Sequence, residues 1–502
     1  MHNEQIFTPF YVVETMLDEL GYIPSWGEEE NSPIRRHHII DNSCGNGNFL
    51  VEVVRRYAKE AIHHGFSDEE ILYQELETYV HGIELDPRLV QETKKRLTEA
   101  MGEFINPSCI KRPINWDIRE ADALTVHDYD GKMDYVVGNP PYCNVHDFGD
   151  KYEFYKSFEF AKGGMTDLYL LFFEVGFRML AWEGKMSYIT PSSWLTSVAG
   201  RPLRDYILDK KNLELFINCR HEQVFAEATT FTVISQFANC KSNERLEWCN
   251  LYDEENKHQT TISDCTVDGK FYIADKEDVE LLRKSLAKPE RRVYNVKNGF
   301  ATLKDKLFMG QTWLLGFVPN DMGFMVKAST GDTTIGCFPY DRETGRPLKW
   351  EELTKWAQEY LKRGAEQLGV DQTKENWWLY GRTQGINDVK YERISVASLI
   401  QVNDKDEGTI PVMKDVWKGM GVYGGLYIMV DRQIVKENNI SEELEKSALN
   451  FAPEMLRTPK FRKFVRLLGH YKNGGYYTFT SKELENYLNN NFGEEVDKLI
   501  GR

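Results

Sequence analysis

The chain has 502 residues, of which 41% are hydrophobic and 13% aromatic; this excludes a disordered or fibrous protein and leaves room for two or three domains. No run approaches the roughly 20 apolar residues of a membrane span, and the opening "MHNEQIFTPF" lacks the basic and apolar regions of a secretion signal. The eight cysteines form no CxxC pair and no zinc-spaced cluster, so neither a disulfide framework nor a metal site is expected, and the chain reads as reduced and cytoplasmic.

Net charge is −16, but it is unevenly spread. Residues 1–240 hold 23 Lys and Arg against 38 Asp and Glu, a balance of −15, whereas residues 241–502 hold 39 against 40. The second half also contains two basic stretches. Residues 281–310 carry eight basic residues against Glu290 and Asp305, and residues 456–472 carry six and no acid. Phosphate binding depends on such local patches rather than on whole-chain charge, although a solvated helix face has the same composition.

In chain order, strands are expected at 37–41, 79–85, 115–119, 133–138, 186–190, 213–219 and 229–237. Helices are expected between most of them. In residues 48–62, apolar side chains at 49, 50, 53, 54, 57, 58, 61 and 62 mark one helical face. Residues 167–181 are apolar nearly all round, as in a buried helix. This alternation predicts an α/β fold with a doubly wound, mostly parallel sheet, whose ligands bind beyond the carboxyl ends of the strands. Past about residue 255 the rhythm is lost, and short strands mix with helices and six tryptophans. The polar segment 252–261 marks the expected boundary, giving domains 1–255 and 256–502, the second of mixed α+β type.

The turns after the strands carry the chemistry. After the first comes "DNSCGNGNFL", where Gly45 and Gly47 open directly into a helix and let backbone N–H groups approach a ligand. No GK[ST] follows, which argues against a nucleoside triphosphate. After the second comes Glu84, placed to accept both hydroxyls of a ribose. After the third comes Asp122, an acceptor for an exocyclic amine, with Ala123 and Leu124 beside it to flank a flat ring. Together they describe an adenosine-containing cofactor.

The fourth strand runs into Asn139-Pro140-Pro141-Tyr142. Two prolines cannot extend a ladder or enter a helix interior, so they fix a rigid turn. The Asn139 amide oxygen and the Pro140 carbonyl are two acceptors suited to one conjugated –NH2 group, and Tyr142 offers a flat face for its ring. Accepting both amine hydrogens draws the nitrogen lone pair out of conjugation and makes it nucleophilic.

These residues resemble the gamma class of N6-adenine-specific DNA methyltransferases of bacterial restriction–modification systems. The resemblance runs in motif order through "IFTPFYVVETML", "DNSCGNGNFL", "GIELDP", "ADAL", "GNPPY", "MTDLYLLFFEVG", "GKMSYITPSSWL" and "QVFAEATTFTVISQF", over residues 6–240. Asn42 and Ser43 depart from the usual Pro-Ala. Weaker echoes, "NGFATLKDKLF", "WWLYGRTQGI" and "VYGGLYIMV", resemble the target-recognition half of such enzymes. The resemblance implies a seven-stranded methyltransferase sheet, S-adenosylmethionine as cofactor, double-stranded DNA as partner, and a target adenine flipped out of the duplex. It implies cofactor contacts from Thr8, Pro9, Asp41, Gly45, Gly47, Glu84, Asp122 and Ala123. It implies that Asn139, Pro140, Pro141, Tyr142 and Phe225 surround the target base. No metal, no membrane contact and a monomer on DNA are expected, with a cognate endonuclease as a separate genetic partner. Asp167, before the apolar helix, reads first as an N-cap, and His146 as a loop histidine. Rival readings are N4-cytosine, RNA or protein-glutamine methylation, and a non-catalytic DNA-binding protein; the large second domain and the intact motifs favour DNA methylation.

Overall fold

The computed structural model describes residues 7–27, 32–65, 69–105, 112–145, 149, 151–219, 231–240, 244–309, 321–403, 405–472 and 474–499. Phe225 and His146 lie outside the described residues. The chain divides into two compact units, Met1–Val279 and Glu280–Arg502.

The first unit is built on one sheet. Its strands are β1 (Ile39–Asp41), β2 (Val80–Glu84), β3 (Asp117–Glu120), β4 (Met133–Gly138), β5 (Leu180–Pro191), β6 (Leu213–Asn218), β7 (Thr232–Ala238), β8 (Arg245–Asn250) and β9 (His258–Thr261). They lie in the order β3-β2-β1-β4-β5-β7-β6-β8-β9. The first five strands are mutually parallel, and β7 runs antiparallel to both β5 and β6. The first seven strands thus form the expected methyltransferase sheet. It is extended by β8, parallel to β6, and by the antiparallel edge strand β9. Because β9 pairs with β8, the segment after residue 255 belongs to this unit and the division falls at Val279.

Helices cover both faces. On one, α1 (Phe10–Leu20), α2 (Asn48–His63), α3 (Glu69–Tyr79) and α4 (Pro87–Gly102) bury a core that includes Val13, Leu17, Val53, Tyr57, Leu76 and Leu97. On the other lie a short α5 (Tyr152–Lys156), then α6 (Leu168–Met179) and α7 (Arg201–Lys210), around Leu171, Phe173, Trp194 and Phe237. Nine of the twelve residues of α6 are buried, which explains a sequence apolar all round. The strand order reverses between β1 and β4, and ligands bind in the crevice such a reversal opens.

A hairpin, β10 (Thr266–Val267) with β11 (Lys270–Phe271), precedes α8 (Lys276–Leu286), the helix in which the division falls. The second unit is mixed α and β. Its four-stranded sheet joins β12 (Tyr294–Asn298) to β19 (Leu426–Val430), β15 (Arg393–Val396) and the edge strand β17 (Met413–Val416), all antiparallel. A second sheet joins β14 (Asp332–Cys337), β13 (Met322–Lys327) and β18 (Gly421–Tyr423); a third joins β16 (Leu399–Gln401), β21 (Tyr476–Thr478) and β20 (Tyr471–Lys472). Helices α9 (Asp305–Phe308) and α10 (Lys355–Leu368) close over a core that includes Phe300, Phe308, Trp377 and Tyr380. Helices α11 (Arg432–Glu437), α12 (Glu442–Leu456), α13 (Pro459–Leu467) and α14 (Ser481–Leu499) complete the unit. Buried Asn489 of α14 accepts from the Val293 and Tyr294 N–H groups at 2.7 and 3.0 Å and donates to the Tyr294 carbonyl at 3.0 Å, satisfying the start of β12. Among the described residues, no helix is long and apolar enough to cross a membrane, and no group of three or more His, Cys, Asp or Glu side chains could hold a metal.

Candidate active site

A cavity of about 510 Å³ opens at the carboxyl ends of β1, β2, β3 and β4. Its walls include Thr8, Asp41, Gly45, Glu84, Asp122 and Ala123, and also Asn139, Pro140, Pro141 and Tyr142. Four separate turns therefore converge on one space, as the sheet order requires. Pro9 and Gly47 are not among the lining residues. Pro9 is the N-cap of α1, with its carbonyl accepting from Val12 and Val13. Gly47 is the N-cap of α2 at φ 84°, and a Cβ there would lie 2.7 Å from Thr93 of α4. Its missing side chain admits the close approach of α2 and α4 and a left-handed turn.

Asp41 ends β1 almost fully buried, and its carboxylate accepts from the Ser43 N–H at 3.0 Å. Burial pushes its pKa up to about 7. The Ser43 N–H opposes that rise, and the nearby negative Glu84 adds to it. The strands crowd here: a Cβ on Gly138 would sit 3.0 Å from the Asp41 carboxylate. Glu84 is held from both sides, one oxygen accepting from the Gly45 N–H at 3.0 Å and the other from the Asp86 N–H at 2.8 Å. This carboxylate thus fixes the glycine turn while still lining the cavity. Asp122 accepts from the Leu124 N–H at 3.2 Å, and Lys151 stands 3.4 Å from its other oxygen.

Tyr142 donates its hydroxyl hydrogen bond to Asn139 Oδ1 at 2.5 Å, with the Ile189 carbonyl a second acceptor at 3.2 Å. Burial raises its pKa well above the usual phenol value, so the group is a donor at neutral pH. Its ring lies edge-on to Tyr169 of α6, centroids 6.3 Å apart. The turn is tied back to that helix: Leu168 N–H donates to the Cys143 carbonyl at 2.7 Å and Val145 N–H to the Thr166 carbonyl at 3.0 Å. Asp167 occupies the N-cap position of α6 but makes no side-chain cap bond; its carboxylate accepts instead from the Asn144 amide at 3.4 Å. Asp167 therefore helps anchor the loop that carries Tyr142.

Residues 66–225 match the family described as the Eco57I restriction-modification methylase. The chain is 24% identical over 212 residues to the Type II restriction enzyme and methyltransferase RM.Eco57I of Escherichia coli, covering 38% of this chain and 21% of that one. It is 26% identical over 191 residues to the Type II methyltransferase M.AccI of Acinetobacter calcoaceticus, covering 37% and 33%. To the Type II methyltransferase M.BstVI of Geobacillus stearothermophilus it is 25% identical over 238 residues, covering 46% and 40%. The chain thus spans less than half the length of each of these curated relatives. Its fold resembles the Type IIL restriction-modification enzyme MmeI, solved in complex with DNA, with TM-score 0.55 at 12% identity over 98% of this chain and 74% of that one. It also resembles the ATP-dependent Type ISP enzyme LlaBIII, with TM-score 0.56 at 11% identity over 98% and 39%. At these identities the likeness to the two structures is one of fold.

Sequence reasoning missed Phe7, Cys44, Lys151, Tyr155 and Phe172, which also line the cavity. Phe7, Cys44 and Phe172 lie within the motifs "IFTPFYVVETML", "DNSCGNGNFL" and "MTDLYLLFFEVG" and were within reach. Lys151 and Tyr155 arrive from a segment with no local signal of ligand contact.

The residues present fit an adenosine-bearing sulfonium cofactor. Ser43 Oγ is buried without a hydrogen-bond partner among the described residues, beside the glycine turn. The acids Asp41, Glu84 and Asp122 line the same cavity, which suits a ligand with a cationic end, hydroxyls and an amine.

Proposed function

We infer that this chain transfers the methyl group of S-adenosylmethionine to the N6 amine of an adenine in double-stranded DNA, at a specific site and with the base flipped from the duplex. The carrying observation is that Asn139, Pro140 and Tyr142 share one cavity with the glycine turn, Glu84 and Asp122. An amine-holding turn and an adenosine-holding pocket in contact describe a methyl transfer to nitrogen.

The cofactor would supply an electrophilic methyl on sulfur. The protein's part is positioning. Glu84 and Asp122 would hold the ribose and the cofactor's amine, and Asp41 would favour its cationic end. Asn139 Oδ1 and the Pro140 carbonyl would accept both hydrogens of the target amine, aiming its lone pair at the methyl. The methylated nitrogen would carry a positive charge, which the face of Tyr142 would tolerate until the proton left to water, the cofactor departing as a neutral thioether. Fixed dipoles and alignment, rather than a general base, would give the rate. Flipping costs a few kcal/mol of unstacking, recovered by stacking on Tyr142.

The test supplies purified protein with a labelled methyl donor and offers unmethylated bacterial DNA, total RNA, and a ribosome and release-factor extract. Label recovered as N6-methyladenine from DNA supports the reading. Label as N4-methylcytosine, or in RNA or protein alone, replaces the substrate while keeping the amine chemistry.

A further inference from the structure

The second unit contains an open cavity of about 710 Å³ that plays no part in the chemistry above. One wall is β17 and the turn after it, bringing Lys414, Asp415, Trp417 and Lys418; another is the end of α12, bringing Arg457. The indole of Trp417 is 66% exposed, and Phe324, also in the lining, is 46% exposed. An indole left this open gains little from burial at home and presents a flat apolar face.

The charges of the lining are lopsided. Four cations (Arg342, Lys414, Lys418 and Arg457) face a single acid, Asp415, in a chain whose net charge is −16. Arg342 donates at 2.6 Å to the carbonyls of Gly419 and Met322, so it builds the wall. Lys418 pairs with Glu442 at 2.8 Å. Lys414 and Arg457 are exposed, and neither forms an ion pair among the described residues. Two cations without an ion-pair partner among the described residues, in one lining with an exposed indole, suit a ligand that is anionic at one end and flat at the other. A nucleotide unit in a strand is such a ligand.

Resting on the DNA reading above, we propose that this cavity grips one nucleotide drawn out of the duplex substrate, its base stacked on Trp417 and its phosphates held by Lys414 and Arg457. Asp415 is placed to accept a hydrogen bond from an exocyclic base amine, which makes the cavity a point of sequence choice as well as of affinity. Arg457 also belongs to the acid-free stretch 456–472, where Arg466 is engaged with Asp406 at 2.7 Å. Arg457 is the member of that stretch that reaches the cavity.

The test uses the full chain with S-adenosylhomocysteine and a fluorescein-labelled duplex carrying the methylated site, once mapped. Binding is followed by anisotropy across a salt series. W417A should weaken DNA binding about five- to a hundredfold, while W417F keeps most of it. K414Q and R457Q should each lower the slope of log affinity against log salt by about one. Cofactor affinity and melting temperature should stay as in the unsubstituted protein, since all three side chains are exposed. If that protein binds and methylates DNA, and the variants match it in affinity and slope, the cavity assignment is overturned and the methylation reading stands. If the unsubstituted protein neither binds nor methylates DNA, the methylation reading fails and this inference falls with it.

Discussion

The Tyr142 hydroxyl donates to Asn139 Oδ1 at 2.5 Å, so the amide oxygen proposed to receive the target amine already holds a hydrogen bond. The two residues are three apart on a turn stiffened by Pro140 and Pro141. The bond keeps the amide oriented and satisfied in the absence of a base, and an incoming amine must take the tyrosine's place. Tyr142 has an alternative acceptor in the Ile189 carbonyl at 3.2 Å, so the exchange need not strand its hydroxyl.

It follows that the ring of Tyr142, not its hydroxyl, is what transfer requires. Y142F should retain activity within about threefold, because the exchanged hydrogen bond is worth only about 1 kcal/mol net. Y142A should lose about a hundredfold or more, through the lost stacking face. Steady-state methylation of the mapped duplex measures both. Loss of activity in Y142F would make the hydroxyl itself part of the machinery.

Asn139→Ala removes the side-chain acceptor and leaves the prolines. On the magnitude typical of a fixed dipole aimed at a reacting group, kcat should fall about 10²- to 10³-fold. Cofactor affinity by calorimetry and DNA affinity by anisotropy should each change by less than about threefold. Full activity in N139A would refute its role.

Much of this was legible from residues 37–142, and the reasons are local. The strand ends at Asp41, Glu84 and Gly138 were visible because apolar runs stop there at polar or glycine residues. The turn residues were visible because prolines and glycines have few uses. Gly47 shows how little a glycine before a helix says by itself: it has the same appearance whether it admits a ligand or makes room for a side chain such as Thr93 of a neighbouring helix. Lys151 was invisible because its partner Asp122 lies 29 residues away, and a lone exposed lysine carries no pattern. Strand β9 was likewise hidden, since an exposed edge of His, Gln and Thr has no alternation to detect.

The Lys151–Asp122 contact sets a graded expectation. Its partners are 56% and 23% exposed at the side chain, so the pair contributes at most about 1 kcal/mol. K151A should therefore change cofactor affinity by no more than about fivefold. D122A, which removes the acceptor itself, should weaken it about tenfold or more. Isothermal titration on the two variants separates a supporting cation from a binding carboxylate; equal losses would assign Lys151 a direct contact.

In the second unit, the satisfied Asn489 gives a stability test. N489L matches its size but leaves the Val293 and Tyr294 N–H groups and the Tyr294 carbonyl without their partner. Each buried orphan costs about 1–3 kcal/mol, so the variant should lose about 3 kcal/mol or more. Denaturant unfolding followed on the full chain reads this as a shift of the second-unit transition. N489D, which keeps the acceptor oxygen, should lose less at low pH than at high pH, where its charge would be buried.

Asp41 links pH to both stability and cofactor binding, and the two effects have opposite signs. Its pKa is about 7 in the folded protein, against about 3.9 in an unfolded chain. The folded state therefore binds the extra proton between those values. The stabilising contribution is complete below about pH 4 and is lost as pH rises through 7, up to about 4 kcal/mol in all. Between pH 5 and 8 the melting temperature of the cofactor-free protein should fall more steeply than that of D41N, which has nothing to titrate at this position. Cofactor binding runs the other way. A sulfonium and ammonium ligand favours the ionised carboxylate, so binding expels the proton, and affinity should rise from pH 6 to pH 8 by up to about tenfold per unit below the pKa. In D41N that rise should flatten. Calorimetry in buffers of different ionisation enthalpy would count the proton released near pH 6.5, and no release would remove Asp41 from the cationic end of the site.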